Sequence, residues 1–382
     1  MTAIAFGLGS AIVVGLIVLW PGAVEIPQEA DVLRRGDIVH ATVTLIERGP
    51  CGSAGEPAAP DAGGPTCRRF TLQIDEGDDE GRNTVLELPD LETSPDLQVD
   101  EQVLLERPPV EVPGAPYAFY DRIRTPSLFW LALVFAVLVV LLGRLKGLAA
   151  LIGLAISIAL LLVFIIPAIL NGSPPVMVAS VGAGAIAFVV LYVAHGFTSR
   201  TTVALIGTLA GVGLTLVLSL VWVPFAHLAG LATEGSYIIQ AVGVEVDLSG
   251  LLLAGIVIGA LGAIDDVAVT QASAVWELRA ADPELGPREL RRAGMRVGRD
   301  HVGSIVNTLA LAYAGASLPL LILFQLSRQP LGSLVGSEVV ATEIVRTLVG
   351  SMGLIAAMPV TTWLASRIAP TEPPDEPGLL GH

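Results

Sequence analysis

The feature that most constrains the fold of this chain is a set of eight apolar runs, each close to the length of a membrane-spanning helix. About 20 residues of α-helix cross the hydrocarbon core of a bilayer. A mean hydropathy of +0.72, with only 15% charged residues, is typical of a multi-pass membrane protein. The predicted spans are 3–20, 127–142, 148–170, 176–195, 203–225, 248–275, 301–326 and 339–366. The lipid bilayer is therefore the first predicted partner, and the predicted fold is a membrane all-α helical bundle of about eight transmembrane helices.

The first run has two interpretations, an uncleaved anchor or a signal peptide. Its start, MTAIAFGLGS, contains no basic residue, and no convincing small-x-small cleavage site precedes Pro21. These features favour an N-terminal transmembrane anchor over residues 1–21.

The distribution of basic residues predicts the orientation of the spans. Basic residues follow the second, fourth, sixth and eighth runs, at Arg144, Lys146, Arg200, Arg279, Arg288, Arg291, Arg292, Arg296, Arg299 and Arg367. Cytoplasmic loops carry an excess of Lys and Arg, so both termini are predicted to be cytoplasmic. The expected location is the cytoplasmic membrane, with the seven-helix domain over 126–368 and a disordered cytoplasmic tail over 369–382.

The segment 22–125 is predicted to form an extracytoplasmic β-domain with a linker, inserted between the first and second spans. It holds 21 Asp and Glu against nine Arg, which argues against a nucleic-acid partner. Apolar and polar residues alternate in GDIVHATVTLIER, CRRFTLQIDEG, RNTVLELPD and DEQVLLER. This alternation predicts four or five short strands, arranged as a small barrel or sandwich resembling an OB fold.

The two cysteines of the chain, Cys51 and Cys67, both lie in this outer segment. A pair confined to the oxidising side of a membrane predicts a disulfide, with two free thiols as the alternative. The five histidines are scattered, and the chain lacks HExxH, CxxC, Walker and GxSxG patterns in a usable context. We therefore predict no metal site, no cofactor and no enzymatic activity.

The sixth run carries two acids, Asp265 and Asp266, within GALGAIDDVAVTQASAVWEL. Spacings of three and four residues place one set on a single helical face: Gly255, Gly259, Gly262, Asp266, Thr270, Ser273 and Glu277. Asp265 is about 100° away from that face. The pattern therefore predicts a glycine-lined packing seam that contains Asp266, with Asp265 as a secondary candidate.

The seventh run presents a similar polar face through Asp300, Ser304, Asn307 and Thr308. Two facing polar stripes predict a hydrated path, because acids inside a membrane usually mark ion or proton routes. Asp266 then has three candidate roles: a proton carrier, a cation ligand with neighbouring oxygens from Thr270, Ser304 and Asn307, or a structural ion pair with a nearby arginine. Glu277 and Asp300 are predicted to mark the cytoplasmic mouth.

Two further charged features have a local interpretation. Glu343 and Arg346 lie one turn apart in the last span, which predicts an intrahelical ion pair and leaves a gating role as the alternative. The stretch PRELRRAGMRVGRDHVG predicts a short amphipathic surface helix. Its arginines would anchor lipid headgroups or attract substrate.

Several motifs together resemble one known family. They are YAFYDRIRTPSLFWLALVF, GRLKGLAALIGL, IPAILNGSPP, HGFTSRTTVALIGT, GALGAIDDVAVTQASAVWEL and GMRVGRDHVGSIVNTLALAYAGASLPL. In these the chain is similar to the YibE/F-like family of bacterial multi-pass membrane proteins. The resemblance implies functional interest at Asp266, Asp300, Asn307 and Thr308, and it implies a permease or efflux protein. Asp265 stands where the family usually has an apolar residue, and Ser304 replaces a threonine.

The sequence thus leads to a first hypothesis, a secondary transporter or permease for a small solute or ion with a proton- or cation-linked intramembrane carboxylate. The alternative is a non-transporting envelope assembly or secretion factor that binds an envelope protein through the β-domain. An intramembrane enzyme is least supported, because no nucleophile–base pair is evident. Substrate, direction of transport and a homo-oligomeric state are left open.

Overall fold

A computed structural model describes residues 1–23, 36–51, 66–107, 117–243, 245–327 and 330–370. Most of the loop between the two cysteines, the proline-rich linker after residue 107 and nearly all of the acidic tail lie outside these ranges. The chain divides into two units, Gln28–Val137 and the combination of Met1–Pro27 with Leu138–His382. Each unit is described by itself below.

The first unit contains the β-domain that the alternating sequences predict. Its strands are β1 (Asp37–Pro50), β2 (Thr66–Ile74), β3 (Asn83–Pro89), β4 (Gln102–Arg107) and β5 (Ala118–Arg122). They form one antiparallel sheet in the order β3-β2-β1-β4-β5. Alternate residues such as Val43, Phe70 and Leu105 are buried in one core, because successive side chains of a strand point to opposite faces.

The sheet is a half-barrel, and the predicted closed barrel is not confirmed. Within the described residues, β3 and β5 lie at opposite edges of the sheet and are not paired with each other. The long strand β1 pairs with β2 along one part and with β4 along the other, and its register with β2 shifts between Val43 and Leu45. Such a bulge bends a strand and strengthens its twist. The bend explains how a five-stranded sheet encloses a core without closing.

The predicted disulfide is confirmed. Cys51 follows the end of β1 and Cys67 lies near the start of β2, with their Cα atoms 4.9 Å apart. The bond joins the two ends of the long connection between these strands, whose interior lies outside the described residues. A cross-link at this place restricts the unfolded chain and so stabilises the strand pair.

The second unit is helical. Its helices are α1 (Thr2–Val18), α2 (Thr125–Leu160), α3 (Ile166–Leu170), α4 (Pro175–His195), α5 (Ser199–Phe225), α6 (Glu234–Ala241), α7 (Leu248–Ala281), α8 (Pro287–Ala316), α9 (Leu318–Ser327), α10 (Leu331–Val335) and α11 (Glu338–Ile368). Helix α2 begins within the residue range of the first unit and continues into the second. A π-helical turn, Leu161–Ile165, joins α2 to α3. Helix α6 is a short helix in the connection between α5 and α7.

Five of the described helical stretches are long and apolar enough to cross a membrane, and a sixth is added if α8 and α9, bent by 63°, form one span. Eight separate spans are not confirmed. Helix α1 has only 17 residues, and the predicted second and third spans fall within one helical stretch of 46 residues, Thr125–Leu170. The protein is therefore a membrane protein by the length and composition of its helices.

The 46-residue stretch is broken at Arg144, which has non-helical torsion angles of φ 51° and ψ −133°. Gly147 lies against the carbonyl group of Val139. In a straight helix these residues would be about 12 Å apart at 1.5 Å per residue. The chain therefore bends sharply at the point where the sequence predicts a loop between two spans.

The arginine-rich stretch after α7 differs from its prediction. It does not form a separate surface helix, because α8 runs without interruption from Pro287 to Ala316. Gly286 caps this helix, and the side chain of Glu289 accepts a hydrogen bond from the Gly286 amide at 3.0 Å. The basic residues thus belong to the first turns of a long helix that continues into the apolar part of the bundle.

Candidate functional site

Helices α5, α7 and α11 form the closely packed centre of the bundle. Gly211 of α5 shows how close they are. A Cβ atom at Gly211 would lie 2.7 Å from Cγ2 of Ile264 on α7 and 2.9 Å from the carbonyl oxygen of Gly353 on α11. Small residues allow helix backbones to approach in this way inside membranes. Gly207 lies one turn from Gly211, and a Cβ atom there would meet Thr361 of α11 and Ala268 of α7.

Buried hydroxyl groups run through this centre. Fully buried examples on α5 and α11 are Thr208, Thr215, Ser219, Thr361 and Thr362. The hydroxyls of Thr215, Thr361 and Thr362 donate to carbonyl oxygens one turn earlier on their own helices, at 2.7 to 3.0 Å. Such bonds use the proton of each hydroxyl within its own helix, so the hydroxyl can only accept from a neighbouring helix.

Thr208 is different, because its hydroxyl donates across the helix interface to Asp265. The distance from Oγ1 of Thr208 to Oδ1 of Asp265 is 3.1 Å. Thr208 is fully buried and Asp265 is partly buried near the middle of α7. Within the described part of the chain, Asp265 forms no ion pair. The bundle therefore holds a carboxylate near its centre that has a hydroxyl partner and no countercharge among the described residues.

Asp266 lies on a different face of α7 from Asp265. The predicted packing seam is wrong, because the face of α7 that contains Asp266 is not the face that packs against other helices. Asp266 is exposed, and a Cβ atom at Gly255 or Gly262 would meet no atom within 4 Å. Among the glycines of that face, only Gly259 would bring an added Cβ atom close to another helix, at 3.3 Å from the hydroxyl oxygen of Tyr313. The reason is that α7 packs through apolar side chains, while the glycines that permit close approach are supplied by α5 and α11.

The other predicted coupling residues also lie on exposed surfaces of α7 and α8. They are Thr270, Glu277, Asp300, Ser304, Asn307 and Thr308. The hydroxyl of Thr308 donates to the carbonyl oxygen of Ser304 on its own helix. Among the residues that the structure describes, no hydrogen bond joins Asp266 to Asn307. The role of the two polar stripes therefore stays a prediction.

Gln271 is a site residue that the sequence reasoning missed. It is only 3% exposed, and its Nε2 atom donates to the carbonyl oxygen of Gly294 and to the hydroxyl of Thr362, both at 2.8 Å. One amide thus connects α7, α8 and α11. A polar side chain five residues after Asp266 in an apolar run is a signal that the sequence does contain, since buried amides in membranes bond across helices.

The predicted ion pair between Glu343 and Arg346 is confirmed. Nη1 of Arg346 lies 2.8 Å from Oε1 of Glu343, and its guanidinium group lies 5.8 Å from the ring centre of Tyr313. Tyr313 and Glu343 also line a mostly apolar cavity of about 280 Å³ between α8, α9 and α11. The pair neutralises two charges inside the bundle and connects α11 to α8.

One cluster of described residues has the spacing of a metal site but not its chemistry. Cys51, Cys67 and Glu87 bring potential ligand atoms within 4.8 Å of one another. The two sulfur atoms are joined in the disulfide, and metal ligation by cysteine requires the thiolate. This cluster therefore does not bind a metal while the disulfide is intact.

The family model described as "YibE/F-like protein" matches residues 131–371, which is more than half of the chain. The chain belongs to the YibE/F-like family. The matched region of this YibE/F-like protein contains Asp265, Thr208, Gln271 and the whole of α4 to α11, and it excludes the β-domain. No curated protein and no solved structure matches the chain.

Proposed function

We propose that this YibE/F-like protein is a secondary transporter, of the permease or efflux type, in which Asp265 binds the coupling proton or cation. The observation that carries the proposal is the bond between Thr208 and Asp265 in the centre of the helical unit. An ionisable residue inside a membrane bundle is costly and usually functional. The absence of a countercharge among the described residues argues against a purely structural ion pair.

The chemistry of this pair suits a reversible binding step. A hydroxyl group can donate to an ionised carboxylate, and it can also accept from a protonated one. Thr208 could therefore keep its bond to Asp265 in both states. A cation would instead use the oxygens of both side chains, since Na⁺ and similar hard ions prefer oxygen ligands. Asp266, with the exposed oxygens of Thr270, Ser304 and Asn307, is proposed as a second acidic position along the route.

The proposed topology has eight spans with both termini in the cytoplasm. In support, α1 has 17 apolar residues, and the stretch Thr125–Leu170 would be about 69 Å long if straight. That length is more than twice the hydrocarbon core, about 30 Å. The bend at Arg144 divides it into two helices of spanning length. The basic residues after α7 then lie in the cytoplasm, and the β-domain lies outside the membrane of the bacterial cell.

A test of transport does not need the substrate in advance. The purified full chain is reconstituted into liposomes that contain a pH-sensitive or a cation-sensitive dye, and a panel of small solutes and cations is added outside. The proposal expects at least one solute to change the internal pH or the internal cation concentration in protein-containing liposomes and not in empty ones. If no solute on a broad panel produces proton or cation flux, although a deletion strain shows a phenotype that the chain restores, the proposal is wrong.

A second function has one observation in its favour. The β-domain has its own core, a disulfide and two sheet edges, β3 and β5, which do not pair with each other among the described strands. Exposed strand edges can accept a strand from a partner protein. On this alternative the bundle is an anchor and the domain binds an envelope protein. A chain without residues 36–107 separates the two functions, because flux survives this deletion only if the bundle itself transports.

A further inference from the structure

A basic cavity lies where α8 begins and α11 ends. Its volume is about 820 Å³, and its lining is predominantly polar. Four arginines line it: Arg288, Arg291, Arg292 and Arg367. The proposed topology places this end of the bundle on the cytoplasmic side, but the cavity exists whichever side it faces. Nothing in the transport proposal uses it.

The charge of this cavity comes mainly from its arginines. In the described part of the chain, none of the four forms an ion pair. Glu289 is the one acidic residue in the lining, and its carboxylate is engaged in capping α8 through the Gly286 amide. The lining therefore carries three more positive than negative charges, although the whole chain has a net charge of −15. An acidic protein that concentrates unpaired guanidinium groups in one concave site provides a place for an anion.

The geometry of the cavity favours a phosphate group in particular. Arg288, Arg291 and Arg292 are three and four residues apart, so they share one face of α8. Arg367 approaches from α11, where its guanidinium group is 4.2 Å from the ring centre of Trp363. Stacking on a ring fixes the plane of a guanidinium group and leaves its N–H groups free to bind in pairs. Paired N–H donors match the oxygens of a phosphate.

We propose that this cavity, formed by Arg288, Arg291, Arg292 and Arg367 beside Trp363, is a binding site for a phosphate-bearing anion. Two sources offer this chemistry. One is the headgroup of an anionic phospholipid, for which a tryptophan at the membrane surface and a basic pocket between helices are favourable surroundings. The other is a soluble phosphate compound of the cytoplasm. The site goes beyond the proposed transport function, since it requires neither flux nor Asp265.

The chain itself supplies a matched control for general charge effects. Arg296 and Arg299 lie on the same helix, are exposed, and do not line the cavity. The double variants R288Q/R367Q and R296Q/R299Q remove the same charge from the same end of the protein. Diffuse attraction of anions to a basic surface predicts equal effects of the two changes. A specific binding site in the cavity predicts that only R288Q/R367Q loses anion binding.

The experiment measures thermal unfolding of the full chain under two sets of conditions. In neutral detergent, pyrophosphate is titrated against sodium chloride of equal ionic strength. In nanodiscs, phosphatidylcholine alone is compared with phosphatidylcholine that contains phosphatidylglycerol. A saturable rise of the melting temperature with pyrophosphate identifies a soluble phosphate as ligand, and a rise only with phosphatidylglycerol identifies the lipid headgroup.

In either case R288Q/R367Q should weaken the response about tenfold or more, because it removes two charge-assisted contacts. R296Q/R299Q should stay within about twofold of the wild type. If neither probe stabilises the protein, or if both double variants lose the response equally, the site does not exist as proposed. If R288Q/R367Q folds poorly without ligand, R288K/R367K replaces it. This variant keeps both positive charges but loses the paired N–H donors of the guanidinium groups. A response of R288K/R367K equal to that of the wild type would contradict the proposal.

Discussion

Two neighbouring aspartates of α7 have different surroundings, because adjacent residues of a helix point about 100° apart. Thr208 donates to Asp265 from a fully buried position, whereas Asp266 is exposed. The face of α7 that packs against α5 therefore contains Asp265 and not Asp266. The family resemblance and the glycine spacing both favoured Asp266, because neither contains information about which face of α7 meets α5.

Replacement of Thr208 tests the role of that hydroxyl. Thr208→Val preserves the shape of the side chain but leaves the carboxylate of Asp265 without its donor. We expect a loss of about 1–3 kcal/mol in the free energy of unfolding, because a buried polar group loses its partner. Thr208→Ser retains a hydroxyl and is expected to remain close to the wild type. Unfolding in mixed micelles of increasing sodium dodecyl sulfate content measures both variants, and equal losses would show that the hydroxyl does not matter.

A second prediction at the scale of residues concerns Asp79 in the β-domain. The hydroxyl of Tyr117 donates to Asp79 at 2.7 Å, and this bond, helped by Arg82 and Arg107, lowers the pKa of Asp79. A lowered pKa in the folded state means that the contribution to stability is complete above the ordinary aspartate value, about 4. It is lost as pH falls through the lower folded value.

Tyr117→Phe should therefore reduce the melting temperature of the β-domain near neutral pH and flatten its fall in acid. Scanning calorimetry of the full chain over a series of acidic buffers measures both effects. Asp78→Asn is the control, since Asp78 lies beside Asp79 and is exposed. A Tyr117→Phe profile parallel to the wild type would contradict the assignment.

At the scale of elements, the crossing of α5 and α11 depends on glycine. Gly211→Ala places a methyl group within 3.0 Å of atoms on both α7 and α11. We expect a loss of about 1–3 kcal/mol in the free energy of unfolding, because the helices must move apart. Gly213→Ala lies on the same helix, and a methyl group there meets no atom within 4 Å. It should be neutral or slightly stabilising, since alanine favours helix more than glycine does. Equal stability of the two variants in the micelle assay would show that the crossing tolerates separation.

The elements differ in how well the sequence predicts them, and the reason is physical. Strands β1 to β4 follow from alternation, because a sheet with one buried face imposes a period of two on its residues. The face of α7 that packs does not follow from α7 alone. Its spacing identifies a small-residue face, but Gly211 and Gly353 on other helices decide where close contact forms. Gln271 was missed for the same reason, since its partners Gly294 and Thr362 are distant in sequence.

For the whole molecule, the number and orientation of spans are the main prediction. A cysteine replacing Ser236, on α6, should react with a membrane-impermeant maleimide in intact cells. A cysteine replacing Glu284, between α7 and α8, should react only after permeabilisation. The natural cysteines do not interfere, because Cys51 and Cys67 are joined. Labelling of both positions in intact cells, or of neither, would overturn the eight-span topology.

Membrane character and the presence of a separate β-domain are readable from the sequence, since both depend on composition and local period. The position of the break near Arg144 is also readable, whereas its torsion angles and the half-barrel form of the sheet are not, because these depend on local geometry and on contacts between distant segments. The basic cavity is an intermediate case. The sequence shows arginines after α7, but only the packing of α11 against the start of α8 brings Arg367 and Trp363 beside them.

The central claim is that Asp265, and not its neighbour, is the coupling carboxylate of this bundle. The most direct test compares solute-dependent proton or cation flux in liposomes that contain Asp265→Asn or Asp266→Asn at equal protein content. The account predicts that Asp265→Asn falls to the level of empty liposomes, while Asp266→Asn retains measurable coupled flux. Wild-type flux in Asp265→Asn, above all with flux lost in Asp266→Asn, would contradict it.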